Sequence, residues 1–317
     1  MHDIDLLVVW PNRPEQMKML DETYRLHRYD LASAEDKEAM LREVGSKIRA
    51  VVTTHSGGFE SSLLDRLPNL EIVASSSVGF DTLCVDACRA RGIPVTNTPD
   101  VLTDDVADMA MLLLLATLRR LLPGVEWIKS GNWIDKGMMP LNTSLKGKKL
   151  GIAGLGRIGK AIARRAEASG IEVSYYGRRP QQDVTYRYYD DLVALARDVD
   201  ILAPVVPGGP ETEGLISREV LSALGPSGYF INISRGSVVD EAALVELLKQ
   251  GALAGAGLDV FVDEPHVPAE LLDMDNVVLQ PHCASGTVET RGAMAQLVVD
   301  NLAAHFAGKP LLTPVTR

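Results

Sequence analysis

The stretch LGIAGLGRIGKAIARR (150–165) limits the possible folds of this chain more than any other. An apolar, β-prone run enters a glycine turn, and the turn opens into a helical pattern. Gly154, Gly156 and Gly159 stand in G-x-G-x-x-G spacing. The first glycine permits a tight turn after a strand. The second lets the backbone approach a pyrophosphate, and the third lets helix and strand pack closely. N–H groups at the start of the helix then face the negative charge. A glycine-rich turn alone is a weak signal. Here a further strand pattern, IEVSYYG (171–177), completes a strand–helix–strand unit. That context points to a bound dinucleotide, the alternative being a purely structural turn.

The same alternation fills the chain. DLLVVW (5–10), IRAVVTT (48–54), LEIVASSS (70–77) and IPVTN (93–97) read as buried strands. Amphipathic stretches such as SSLLDRLPNL (61–70) and VDACRARG (85–92) separate them. A second series starts near residue 149 and continues through DILAPVV (200–206), GYFINIS (228–234), GAGLDVF (255–261) and NVVLQPH (276–282), with DEAALVELLKQG (240–251) as one intervening helix. Continuous apolar runs alternating with helices indicate parallel sheets covered on both faces. The expected class is α/β, with doubly wound, Rossmann-like sheets. At 317 residues the chain should hold two domains. Two long helical patterns, 101–122 and 287–308, stand outside the simple strand–helix units and are placed to bridge them. The second could return to the first domain and make it discontinuous. The expected boundaries are 1–98 with 288–317 for one domain and 99–287 for the dinucleotide-binding domain.

Composition removes several functions. The net charge of −10 argues against a general nucleic-acid or membrane-surface binder, which needs a basic face. MHDIDLLVVW has no basic region of the secretion type. MAMLLLLATL (109–118) is far shorter than the roughly 20 residues of a membrane span, so a buried helix is the better reading. Cys84, Cys88 and Cys283 are too few and too scattered for a disulfide framework. A reducing, cytoplasmic setting is expected, and no metal site.

The end of the next strand reads SYYGRRP. Sites for NAD usually carry an acid there to bond the ribose 2′-OH. This chain has Gly177 instead, followed by Arg178 and Arg179. A carboxylate would repel a 2′-phosphate, whereas guanidinium groups bind one. The segment therefore predicts NADPH, with NADH weaker. The alternative is a solvated arginine loop.

Three later strands end in ionisable residues: Arg235 after INIS, Asp259 and Glu264 in GLDVFVDEP, and His282 after VVLQP. Ligands of such sheets bind beyond the carboxyl ends of the strands. A guanidinium fork fits a substrate carboxylate. A histidine exchanges a proton near neutral pH, and a neighbouring glutamate orients it. That set suits reduction of a 2-keto acid. Cys283 reads as a packed neighbour, and His55, in TTHSGGFE, as an ordinary loop residue.

GLGRIGKAIA, SRGSVVDEAALVELL, AGAGLDVFVDEP and PHCASGTVETR together resemble the D-isomer-specific 2-hydroxyacid dehydrogenase family, over nearly the whole length. YYGRR and GKPLLTPV are similar to its NADPH-dependent glyoxylate/hydroxypyruvate reductases. The resemblance implies a flavodoxin-like, discontinuous substrate domain and a central coenzyme domain. It implies that Arg235 anchors the carboxylate, that Glu264 pairs with His282, and that His282 is the acid/base. Val78 and Gly79, in SSSVGFD, would receive the carboxylate from the other domain. Leu155, Gly156, Arg157 and Ile158 would lie on the pyrophosphate, Ile233 and Ser234 beside the cofactor, and Asp259 at the nicotinamide carboxamide. A homodimer is implied, with Trp133 a candidate to line the partner's pocket or simply an interface aromatic. The chain departs from the family at VPGGPETEG (206–214), where many relatives carry P-L-T-P-E-T; Gly208 and Gly209 could alter the adenine edge. Glyoxylate, hydroxypyruvate, aryl pyruvates and 2-ketogluconate remain open as substrates, as does a non-catalytic NAD(P)-sensing protein of the same fold.

Overall fold

The computed structural model of the chain describes residues 3–315; Met1, His2, Thr316 and Arg317 lie outside the described residues. The chain divides into two compact units, Met1–Leu102 with Gly286–Arg317, and Thr103–Ser285.

In the first unit, β1 (Asp5–Val8), β2 (Arg25–Arg28), β3 (Ile48–Thr53), β4 (Ile72–Ser75) and β5 (Val95–Thr96) form one sheet in the order β2-β1-β3-β4-β5. Every pair is parallel. This is the flavodoxin-like order. A parallel sheet needs cover on both faces, and side chains alternate across it to supply that. Leu7, Val51 and Val73 enter one apolar cluster. Leu6, Val8, Val52 and Ala74 enter another, which Val298 and Leu302 complete. Those two residues belong to the helix Val288–Phe306, whose N-cap Thr287 accepts from Thr290 N–H at 3.2 Å. The C-terminal segment thus returns to the first unit, which is discontinuous in sequence.

In the second unit, β6 (Lys149–Ala153), β7 (Glu172–Tyr176), β8 (Arg187–Tyr189), β9 (Ile201–Pro204), β10 (Tyr229–Asn232), β11 (Gly255–Leu258) and β12 (Val277–Leu279) form a parallel sheet in the order β12-β11-β10-β9-β6-β7-β8. The chain steps outward from β6 to β8, crosses to β9, and steps outward the other way. The reversal between β6 and β9 is the switch point at which such sheets bind ligands. Register keeps the strand ends level. Ala153 pairs with Tyr176, and Asn232, Leu258 and Leu279 lie in one row.

Two strands lack the apolar run that marks the others in sequence. β2 reads RLHR and β8 reads RYY, and each is an edge strand. The single helix expected over 101–122 is also corrected. It runs Thr103–Leu118, and a separate helix, Leu121–Lys129, follows. Arg120 between them has a left-handed φ of 47°, which a right-handed helix cannot continue through. Its guanidinium reaches Asp275 at 2.8 Å.

The apolar stretch 109–118 lies in the helix Thr103–Leu118, which packs on β10, β11 and β12. Glycines on β11 let it approach. A Cβ on Gly257 would stand 2.9 Å from Leu113 Cβ and 3.1 Å from Thr117 Oγ1. Among the described residues no helix is long and apolar enough to cross a membrane. None of their His, Cys, Asp and Glu side chains form a group of three or more that could hold a metal ion. Gly257→Val should overpack this seam and cost about 1–3 kcal/mol, read as a fall of several degrees in Tm. An unchanged Tm would mean the helix has room to move.

Candidate active site

The glycine turn leaves β6 at the switch point. Gly154 has φ 104°, and a Cβ there would stand 2.7 Å from Val205 O. A Cβ on Gly159 would overlap the Gly154 carbonyl oxygen. Both positions therefore exclude side chains by packing. Gly156 is different: a Cβ there would meet nothing within 4 Å. It is the N-cap of the helix Arg157–Ala168 and brings no side-chain cap. Open space before a helix start whose N-cap offers no side-chain acceptor fits a pyrophosphate. Leu155 is buried, Ile158 half-buried and Arg157 exposed.

Because Ala153 pairs with Tyr176, Gly177 leaves the sheet beside Gly154, and Gly154 N–H donates to Tyr176 O at 2.9 Å. No acid follows β7. Arg178 and Arg179 are exposed, and Arg178 lies 3.8 Å from Glu211.

Across the switch point, β10, β11 and β12 end side by side. Asn232, fully buried at the end of β10, shapes the next turn: its Oδ1 accepts from Ser234 N–H at 3.0 Å and its Nδ2 donates to Arg235 O at 3.0 Å. Ile233 and Ser234 are buried, and the Ser234 hydroxyl donates to Val206 O. Arg235 is half-buried and donates to Ser234 O at 2.8 Å. A Cβ on Gly236 would overlap the Phe261 carbonyl, so the Arg235 turn lies directly on the segment that leads to Glu264.

Glu264 is held by its own loop and holds His282 in turn. One of its oxygens, Oε1, accepts from Phe261 N–H at 3.0 Å. The other, Oε2, lies 2.7 Å from His282 Nδ1. Asp259, with no exposed surface, anchors the histidine's backbone. It accepts from Cys283 N–H at 2.8 Å and from Ala284 N–H at 3.0 Å, while its carbonyl accepts from His282 N–H at 2.7 Å. Burial pushes the Asp259 carboxyl above the usual carboxylate range, against those two donors. His282 has a left-handed φ of 49°. That conformation costs a non-glycine residue of order 1–3 kcal/mol, and the three hydrogen bonds to Asp259 offset it. Cys283, beside the histidine, contacts Gln280 Oε1 through its thiol at 3.2 Å.

Val78 and Gly79 belong to the first unit, in the loop after β4. Val78 O accepts from Asn97 Nδ2 at 2.9 Å, and Gly79 O from Ser77 Oγ at 3.2 Å. With both carbonyls turned to protein donors, neither N–H has a protein acceptor among the described residues. His55 lies beside this loop, its Nε2 2.9 Å from Asp81 and its N–H on Ser77 Oγ at 2.9 Å. Asn97, Ser77 and Asn232 carry no motif that would single them out in sequence; their contacts are tertiary.

Sheet order and glycine turn define a dinucleotide-binding α/β protein. Residues 111–284 match the NAD binding domain of the D-isomer specific 2-hydroxyacid dehydrogenases. The chain is 49% identical to glyoxylate/hydroxypyruvate reductase A of Arabidopsis thaliana, over 99% of this chain and all of the relative. It is also 49% identical to hydroxyphenylpyruvate reductase of Plectranthus scutellarioides, with the same coverage. Among solved structures, the NADPH-dependent glyoxylate/hydroxypyruvate reductase of Sinorhizobium meliloti, in complex with NADP and malonate, superposes with a TM-score of 0.90 at 44% identity, covering 99% of this chain and 97% of that one. The chain belongs to the D-isomer-specific 2-hydroxyacid dehydrogenase family. It is accordingly an oxidoreductase that uses a nicotinamide dinucleotide.

Asp259→Asn leaves a single acceptor for two backbone donors. We expect a loss of about 1–3 kcal/mol in chemical denaturation, with faster hydrogen exchange at Cys283 and Ala284. Unchanged protection of both amides would show that the carboxylate does not hold the His282 turn.

Proposed function

We propose that the protein reduces a small 2-keto acid of the glyoxylate or hydroxypyruvate type to the D-2-hydroxy acid, with NADPH preferred and NADH weaker. The observation that carries the reading is the 2.7 Å contact between His282 Nδ1 and Glu264 Oε2. An ionised carboxylate only accepts, so Nδ1 carries the hydrogen and Nε2 is the nitrogen that exchanges a proton with substrate. Arg235 offers its guanidinium fork to the substrate carboxylate, and the N–H groups of Val78 and Gly79 are candidates for the same anion. The bound dihydronicotinamide supplies the hydride taken up at C2. His282 gives the oxygen at C2 its proton, which balances the reduction and makes the hydroxyl. Asp259 acts through the backbone turn that holds His282. Leu155, Gly156, Arg157 and Ile158 lie on the pyrophosphate, Gly154 and Gly159 shape the turn that presents them, and Ile233 and Ser234 stand beside the nicotinamide half.

Two features support NADPH. No carboxylate follows β7 to bond a ribose 2′-OH, and Arg178 and Arg179 stand exposed where a 2′-phosphate would need charge. The relatives' names differ in the keto acid's tail, so a substrate panel that also includes aryl pyruvates and 2-ketogluconate decides that point. The free thiols of Cys84, Cys88 and Cys283 support a reducing, cytoplasmic setting. A homodimer is part of the proposal. Leu121, Leu122, Ile128, Ile134 and Leu141 are exposed apolar side chains following the helix Thr103–Leu118, more than isolated surface residues explain. Trp133, 61% exposed, lies among them.

His282→Ala should lower kcat by about 10²–10⁴-fold while leaving the NADPH dissociation constant nearly unchanged. A near-normal rate in that variant would show that another group supplies the proton. Arg178→Ala combined with Arg179→Ala should abolish the preference for NADPH over NADH; a surviving preference would place 2′-phosphate recognition elsewhere.

A further inference from the structure

The loop between β7 and β8 carries Arg178 and Arg179, and their reach depends on how its backbone is held. The arginines do not hold it. The Arg178 side chain is 79% exposed and its Glu211 partner 83% exposed, and such pairs contribute little. The restraint comes from the residues that follow. Gln181 N–H donates to the Tyr175 hydroxyl at 2.8 Å. Its side-chain Nε2 donates to Leu155 O, inside the glycine turn, at 2.7 Å. Two residues on, Asp183 meets Lys160 Nζ of the helix Arg157–Ala168 at 2.5 Å. On the near side, the Tyr188 hydroxyl donates to Gly177 O at 3.0 Å. The arginine limb is therefore suspended between β8 and the glycine turn.

We propose that Gln181 is a positioning residue for cofactor choice: its bond to Leu155 O holds Arg178 and Arg179 at a set distance from the glycine turn. A loop already in place binds a 2′-phosphate without losing affinity to ordering. A cofactor lacking that phosphate makes little use of the arginines and should be nearly indifferent to the tether. The inference rests on the NADPH reading above. It adds a residue that touches neither phosphate nor substrate, and which the glycine motif and the arginine pair do not mark.

The test is equilibrium binding of NADPH and of NADH, followed by nicotinamide fluorescence, in the wild type and two variants. Gln181→Glu keeps the size but, ionised, cannot donate to a carbonyl. Gln181→Met keeps the reach without a donor. Both should weaken NADPH about three- to tenfold, the worth of one hydrogen bond, and change NADH less than about twofold. Amide hydrogen exchange across 177–183 should accelerate in the protein without cofactor. Equal weakening of both cofactors would assign the bond to the glycine turn alone and overturn the proposal. So would unchanged NADPH binding in variants whose melting temperatures match the wild type. The variant carrying Arg178→Ala and Arg179→Ala separates the two levels. If the wild type shows no NADPH preference and that variant binds like it, the NADPH reading has failed, whatever Gln181 does. If that variant loses the preference while the Gln181 variants keep it, the tether alone has failed.

Discussion

All seven strands of the second unit run the same way, so their carboxyl ends share one edge, and the unit's chemistry depends on those ends being level. The register does this with backbone hydrogen bonds. Ala153 opposite Tyr176 brings the glycine turn out beside the arginine loop. Asn232, Leu258 and Leu279 in one row bring out Arg235, Asp259 and His282 within three residues of it. A slip by one residue in a strand turns every side chain to the opposite face. The apolar cores therefore fix the site, although none of its charged groups belongs to them.

Close packing sharpens what register begins. The Arg235 turn rests on the backbone that leads to Glu264 because position 236 has no side chain. The helix Thr103–Leu118 lies close on β11 because Gly255 and Gly257 leave it room. These glycines serve approach rather than unusual backbone angles. Gly154 meets both demands, with a φ of 104° and Val205 against it.

His282 shows how a strained residue is kept in place. A left-handed conformation is uncommon outside glycine, though histidine tolerates it better than most. Here the backbone N–H groups of residues 282–284 all close on Asp259. That carboxyl is fully buried, and burial raises its pKa against the two N–H donors that lower it. The imidazole takes its second restraint from Glu264. Backbone and ring are thus held by different acids from the same β11 segment.

Much of this was legible in the chain because it is local. Alternating apolar runs and helical patterns determine a parallel α/β fold, since buried strands and their covering helices leave distinct periods. Glycine spacing marks the dinucleotide turn, and strand-end residues mark where chemistry can gather. The edge strands β2 and β8 were not legible: RLHR and RYY carry no buried run, and only pairing with β1 and β7 makes them strands. The break at Arg120 was not legible either, since the helical pattern runs through it and its left-handed φ appears only in the fold. Nor were Asn97 beneath Val78, Asp259 beneath His282, and Gln181 on Leu155, for a hydrogen bond between remote residues leaves no spacing to read. The sequence by itself determined which groups this protein carries to its strand ends; the tertiary structure decided which groups hold them still, because burial and long-range pairing exist only after the sheets have formed.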